Sequence, residues 1–256
     1  MDILTEAFRW LNDPLNWTGR RGVLELTAAH LAVSAAAVAL ALVVALPLGL
    51  WLGHRGRGAT LGVVVANTTR ALPTLALLTL LAASGLFGNT ATAFACAVFA
   101  VPPILANAVT GVGGVDPAAR DAARGLGMSG ARVLWTVEVP LALPLVAAGI
   151  RTGAVQVLAT VPLAALVGGT SLGTIVVTGF GTQRYGQALA GGLLVAGLCL
   201  LVEGLLAIAE RAVTPAGLRA RERATTGRTA RAGRRERRSL AAAGTSTSPN
   251  GSAPPP

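Results

Sequence analysis

Apolar residues fill this chain in long, uninterrupted runs instead of recurring on one face as they do in a soluble helix. Five runs stand out, at about residues 24–52, 60–84, 90–111, 143–168 and 187–210. Each reaches roughly twenty residues, enough for a helix rising about 1.5 Å per residue to cross about 30 Å of hydrocarbon. A core helix of a soluble protein rarely goes so far without a polar face. The pattern therefore predicts an all-α, polytopic membrane protein with about five transmembrane helices. Residues 23–213 are assigned to the transmembrane domain, 1–22 to an N-terminal external segment and 214–256 to an Arg-rich disordered tail.

Interruptions inside the runs sharpen this picture. Pro47 is expected to kink the first helix near one end, and the consecutive Pro102 and Pro103 withhold two amide donors. The third helix is therefore expected to be broken or kinked where neighbours can satisfy the freed carbonyls. The second run contains Asn67, Arg70 and Pro73. His30 reads as a satisfied polar contact near the membrane surface, with a pore or proton-relay role as the alternative. Glu203, midway through the last run, is costly there unless paired, so a hydrogen bond within the bundle is favoured over solute contact. Arg151 and Arg70 are placed to snorkel or anchor at a surface. Trp10, Trp17, Trp51 and Trp135 all fall near predicted boundaries, as interfacial anchors do. Cys96 and Cys199 sit in apolar runs and read as small core hydrophobes, not as a disulfide or metal pair.

Composition agrees with the pattern: 53% of the 256 residues are apolar, 12% are charged, and the mean hydropathy is +0.63. The net charge of +10 suggests a nucleic-acid partner until it is located. Residues 211–256 hold ten Arg and two Glu, while the rest of the chain has eleven Arg and nine acids. The basic excess thus belongs to the tail, where adsorption to anionic lipid explains it more simply than nucleic acid does. Loop charges set an orientation. Arg55 and Arg57 lie in the first connection, none in the second, Arg120, Arg124 and Arg132 in the third, Arg184 in the fourth. The positive-inside rule places the N-terminus outside and the C-terminus in the cytoplasm of a multi-pass inner-membrane protein. Asp2, Glu6 and Asp13 near the start argue against a basic n-region, so no cleaved signal peptide is expected.

The third connection, VGGVDPAARDAARGLGMSGARVLWTVEVPLALP, is too long for a simple turn and too patterned for a disordered loop. Asp116 is predicted to cap a helix with Pro117 at its first position. Asp121 suits the positive end of that helix, and Gly125 and Gly127 end it or let it turn closely. A second short helix is expected after Ser129, with Pro140 and Pro144 marking the start of the fourth span. A short surface helix rich in Ala and Gly fits a docking knob for a partner, and equally an interfacial helix packed on its own bundle.

The same stretch resembles the cytoplasmic loop of permease subunits of binding-protein-dependent ABC importers. That motif runs Glu-Ala-Ala, three variable residues, Gly, nine variable residues, then Ile-x-Leu-Pro. Asp121, Ala122, Ala123, Gly127, Val137, Val139 and Pro140 stand at those positions, with Asp for Glu and Val for Ile and for Leu. DPAARDAARGLGM, VEVPLALPLVAAGIRTG, NTTRALPTLALLTL and VPPILANAVTG further resemble the osmoprotectant branch, which imports glycine betaine, choline, carnitine or proline betaine. The likeness spans roughly residues 24–210 and leaves the tail outside.

The resemblance implies a type I ABC importer permease fold with a short cytoplasmic coupling helix. It also implies no catalytic residue, metal or cofactor in this chain, with ATP and Mg bound by a partner ATPase. Consistently, no G-x-x-x-x-G-K-[ST] phosphate loop occurs in the sequence. The implied partners are two ATPase subunits, a second permease copy or homologous permease, an external solute-binding protein, a betaine or quaternary amine solute, and membrane lipid. Asp121, Ala122, Ala123, Arg124 and Gly127 are then the residues that couple to the ATPase. Pro73, Pro102, Pro103, Pro140 and Pro144 belong to structural motifs. GGTSLGTIVVTGFGTQRYG, residues 168–186, reads as an external gate or re-entrant turn or, equally, as a flexible connector. Two other readings stay open: a permease for another small solute such as an amino acid or methionine, and a membrane scaffold that recruits a partner without moving solute.

Overall fold

The computed structural model describes residues 2–56, 64 and 73–213; Asn67, Arg70 and the tail from Thr214 lie outside them. The described elements are helical throughout. They are α1 (Ile3–Leu11), a 3-10 turn Pro14–Asn16, α2 (Val23–His54), α3 (Thr74–Ala83), α4 (Gly88–Gly113) and α5 (Pro117–Gly125). After these come α6 (Gly130–Val133), a π-helical turn Leu134–Glu138, α7 (Val139–Thr160), a 3-10 segment Val161–Val167, α8 (Gly173–Gly181) and α9 (Tyr185–Val213). Four stretches are long and apolar enough to cross a membrane: Val23–His54, Gly88–Gly113, Gly130–Val167 and Tyr185–Ala212. They account for four of the five predicted runs. Of the second run, α3 supplies a ten-residue, largely apolar helix that begins directly after Pro73.

α4 is the central element, buried along most of its length between α2 and α7. Its small side chains, with Ala91, Ala95, Cys96, Ala100 and Ala108 turned inward, let the neighbours close in. α2 answers with a stripe at every fourth position: Ala37, Ala41, Ala45, Gly49 and Gly53, all buried. This small-residue spacing lets helix backbones meet in an apolar medium that offers no hydrophobic drive of its own. At Gly53 an added Cβ would lie 2.8 Å from Val112 Cβ and 2.9 Å from the Val109 carbonyl oxygen, so the crossing tolerates no side chain. α4 runs through Pro102 and Pro103 as one helix, so the expected break is absent.

The far end of the bundle, opposite His54, is closed by the stretch between α7 and α9. Pro162 has no N–H to offer the Leu158 carbonyl four residues earlier. His30 Nε2 fills that gap at 3.0 Å from Leu158 O, with the ring wholly buried. The polar contact expected at His30 is thus made by Nε2, as a repair of a proline-freed acceptor on another helix, while Nδ1 is buried without a hydrogen-bond partner. Asn89, at the start of α4, grips Thr170 twice: its Oδ1 accepts from Thr170 N at 2.7 Å and its Nδ2 donates to Thr170 Oγ1 at 3.0 Å. Residues 168–186 thus contain the Gly168 cap that ends the 3-10 segment, a clip and α8, which packs on α9 where Gly179 meets Ala188.

The N-terminal segment also folds. α1 lies against the start of α9, where Gly186 faces Glu6 and Ala7. Trp10 and Trp17 are half-buried beside Val23, Leu26, Leu172 and Ile175, and Trp17 Nε1 donates to Leu11 O at 2.7 Å. Trp51 and Trp135 are exposed, and Arg55 stacks 4.3 Å above the Trp51 ring.

Candidate functional site

The connection between α4 and α7 forms a knob at the His54 end. Asp116 Oδ1 accepts from Ala118 N at 2.9 Å, and Pro117 occupies the first turn, so α5 starts as its cap predicts. It ends on a Schellman motif: Gly127 N donates to Arg124 O and Met128 N to Ala123 O, with Gly127 at φ +80°. Among the described residues no atom would crowd a Cβ at Gly127, so the glycine there answers to backbone conformation. Ala123 turns into the protein. Asp121 is 75% exposed and Arg124 57%, and the pair sits 3.9 Å apart at i,i+3. Ala122 is exposed beside them, and Leu126 is 79% exposed. The outer face of α5 therefore presents one acid, one base, small residues and a bare leucine.

Behind that face lies a buried ionic junction. Glu138 is 0% exposed. Its Oε2 lies 2.6 Å from His54 Nδ1, a hydrogen bond in which an ionised carboxylate accepts from the ring N–H. Its Oε1 lies 2.9 Å from Arg120 Nε, an ion pair without linear hydrogen-bond geometry. Arg120 also donates through Nη2 to the Val112 carbonyl in the last turn of α4. One carboxylate thus joins the end of α2, the end of α4, the knob helix α5 and the start of α7.

The π-helical turn explains how Glu138 reaches inward. Pro140 cannot donate to Thr136 O, and just ahead of it Val139 N donates five residues back to Leu134 O. The wider turn adds a residue to the helix locally, a device that recurs at functional sites. Pro140 is exposed in the first turn of α7, and Pro144 lies inside it, half-buried. The short helix expected after Ser129 is present as α6 but passes into α7 without a break.

Of the residues singled out from the sequence, Asp121, Ala122, Ala123, Arg124 and Gly127 gather on the knob. Pro73, Pro102 and Pro103 lie in other parts of the fold. Arg120, Glu138 and His54 were not singled out as a site. Glu138 carried a signal, since an acid inside VEVPLALP requires a partner; its partners 84 and 18 positions away did not show locally. Arg151 is not free to snorkel: its Nη1 lies 3.8 Å from Glu203 and its Nε 3.2 Å from Glu210, two acids one heptad apart on α9. Glu203 was expected to hydrogen-bond within the bundle; it instead lies in a 3.8 Å ion pair with its side chain 42% exposed. Among the described residues no group of three or more His, Cys, Asp or Glu is placed to hold a metal ion.

Residues 45–215 match the family model described as binding-protein-dependent transport system inner membrane component. The glycine betaine/carnitine/choline transport system permease protein OpuCB of Bacillus subtilis is 35% identical over 198 residues, covering 77% of this chain and 90% of that protein. The osmoprotectant import permease protein OsmW of Salmonella typhimurium is 31% identical over 200 residues, covering 76% and 93%. Among solved structures, an inward-facing form of the MetNI methionine ABC transporter aligns with a TM-score of 0.64 at 20% identity, covering 75% of this chain and 96% of that one.

Proposed function

Because the chain belongs to the inner membrane component family of binding-protein-dependent transport systems, as an ABC-importer permease subunit closely related to the Opu and OsmW permeases, we propose that it passes glycine betaine, choline or a related osmoprotectant. ATP is hydrolysed on a separate subunit, where Mg is bound, and an external binding protein delivers the solute. Two permease chains, either two copies or this chain and a homologue, enclose the pathway.

One observation carries the mechanism: the exposed α5 face sits directly on a buried junction shared by three longer helices. In this reading the His54 end is cytoplasmic, the N-terminus is outside, five helices span the membrane, and α5 is the coupling helix. Asp121 and Arg124 offer charge to an ATPase groove, Leu126 offers apolar area, and Ala122 and Gly127 leave room for the partner's backbone. The ATPase pair holds α5 differently in its open and closed forms, and that differential contact biases the spans between two packings.

The test is reconstitution of the chain with its ATPase and binding protein, followed by uptake of labelled glycine betaine and choline. ATP-dependent uptake of either is expected. Uptake without ATP sinks the importer mechanism, and uptake of an amino acid alone sinks the solute assignment. Gly127→Leu puts a side chain at φ +80° and on the docking face. It should leave membrane insertion intact and cut uptake; normal uptake at normal abundance removes α5 from the coupling role.

A further inference from the structure

We propose that Glu138, Arg120 and His54 form the joint through which movement of α5 reaches the spans. They are positioning residues that tie α5, α2, α4 and α7 into one moving piece. The inference rests on the permease reading above and deepens it.

Within α5 the buried residue is Ala123, and Arg120 is the side chain that carries an ion pair from this helix into the bundle. A push on Asp121 or Arg124 therefore reaches the buried junction through Arg120, the inward-facing residue next to Asp121. Arg120 lands on two elements at once, the Glu138 carboxylate and the Val112 carbonyl. Glu138 passes the contact to His54, the last residue of α2.

The chemistry suits a joint better than a filler. Well-packed apolar groups in place of all three side chains would usually hold the helices as well or better, because burying charge carries a large desolvation cost. What the ionic arrangement adds is direction: a carboxylate whose two oxygens each face a different basic partner has one low-energy placement, so the four segments keep register as they move. The π-helical turn that aims Glu138 inward costs helix regularity for the same geometry.

The experiment uses the complete importer in liposomes, with ATPase and binding protein present, and measures solute moved per ATP hydrolysed. Arg120→Lys and His54→Gln alter partly exposed side chains and each leaves Glu138 one intact partner. Glu138→Gln removes the charge, and Glu138→Asp is its conservative counterpart. Each assembled variant is expected to hydrolyse ATP yet move about tenfold less solute per ATP, within the range by which linking residues tune coupling. Glu138→Asp should recover part of the loss. Combining Arg120→Lys with His54→Gln should cost less than the product of the single effects, because both act through one carboxylate.

Arg132→Gln, an exposed basic residue outside the joint, should leave the ratio unchanged. An unchanged ratio in assembled Arg120→Lys and His54→Gln overturns the joint, as does a fall in abundance with the ratio preserved. If Glu138→Gln fails to assemble, those two variants decide. Wild-type importer that shows no ATP-coupled uptake sinks the permease reading itself, whereas coupled wild type with insensitive variants sinks the joint alone.

Discussion

At the His54 end the helices are joined by a buried carboxylate between two basic groups; at the Asn89 end they are joined by neutral hydrogen bonds and by backbone contact. Both ends face the same local difficulty, a proline that withholds a donor in the same long helical stretch. Near Pro140 the helix adjusts from within by widening to a π-turn, and the adjustment turns Glu138 inward. Near Pro162 the helix tightens to 3-10 and a side chain from another helix, His30, supplies the missing donor. An ionic junction loses much when one member is removed, because the groups left behind lose their counter-charge while still largely withdrawn from water. A neutral one loses a single hydrogen bond's worth. The two ends should therefore respond to substitution on different scales.

The largest break should come from Glu138→Leu, which strands Arg120 and His54. We expect a loss of about 3–5 kcal/mol in the unfolding free energy of the purified chain in detergent. A loss under about 1 kcal/mol would mean that the two basic groups find water or other acceptors easily, and the contrast between the ends would vanish.

His30→Leu should cost less, about 1–2 kcal/mol, since it leaves only the Leu158 carbonyl without a donor. His30→Gln, which can still donate, sharpens the point: it should retain most of the stability in the same unfolding measurement. Equal losses for both variants would assign His30 to packing.

Smaller again is Asn89→Ala, at about 1 kcal/mol. Its signature is local, with faster amide hydrogen exchange at Thr170 and unchanged exchange in α5. Smallest is Asp121→Asn, where an exposed i,i+3 pair contributes about 0.3 kcal/mol. In the proposed role its effect falls on ATPase stimulation by the loaded binding protein, which should drop while thermal unfolding stays the same.

How much of this could be read from the chain alone depended on how local each cause was. Four of the apolar runs are long helices because twenty charge-poor residues have few other options, and α5 announced itself through Asp116, Pro117 and Gly127. The fourth run was placed too short: the helical stretch starts at Gly130, not near 143, because Pro140 is absorbed in a first turn after a π-turn and does not mark a break. Pro102 and Pro103 likewise sit inside one helix. α1 escaped notice, since nine residues with Glu6 and Arg9 resemble a polar leader until packed on α9. The knob's outer face was legible because its residues are neighbours in sequence. The junction beneath it was not, because Glu138 and His54 meet only once the whole bundle has closed.

The Ala and Gly stripe on α2 has a consequence for how the molecule can flex. With Gly49 on Ala108, Gly53 on Val112, and Leu105 and Val109 packed in the same core, the two helices meet at close range along this stretch. α2 and α4 therefore behave as a single plank: tilting one carries the other, and acyl chains have no seam through which to enter between them.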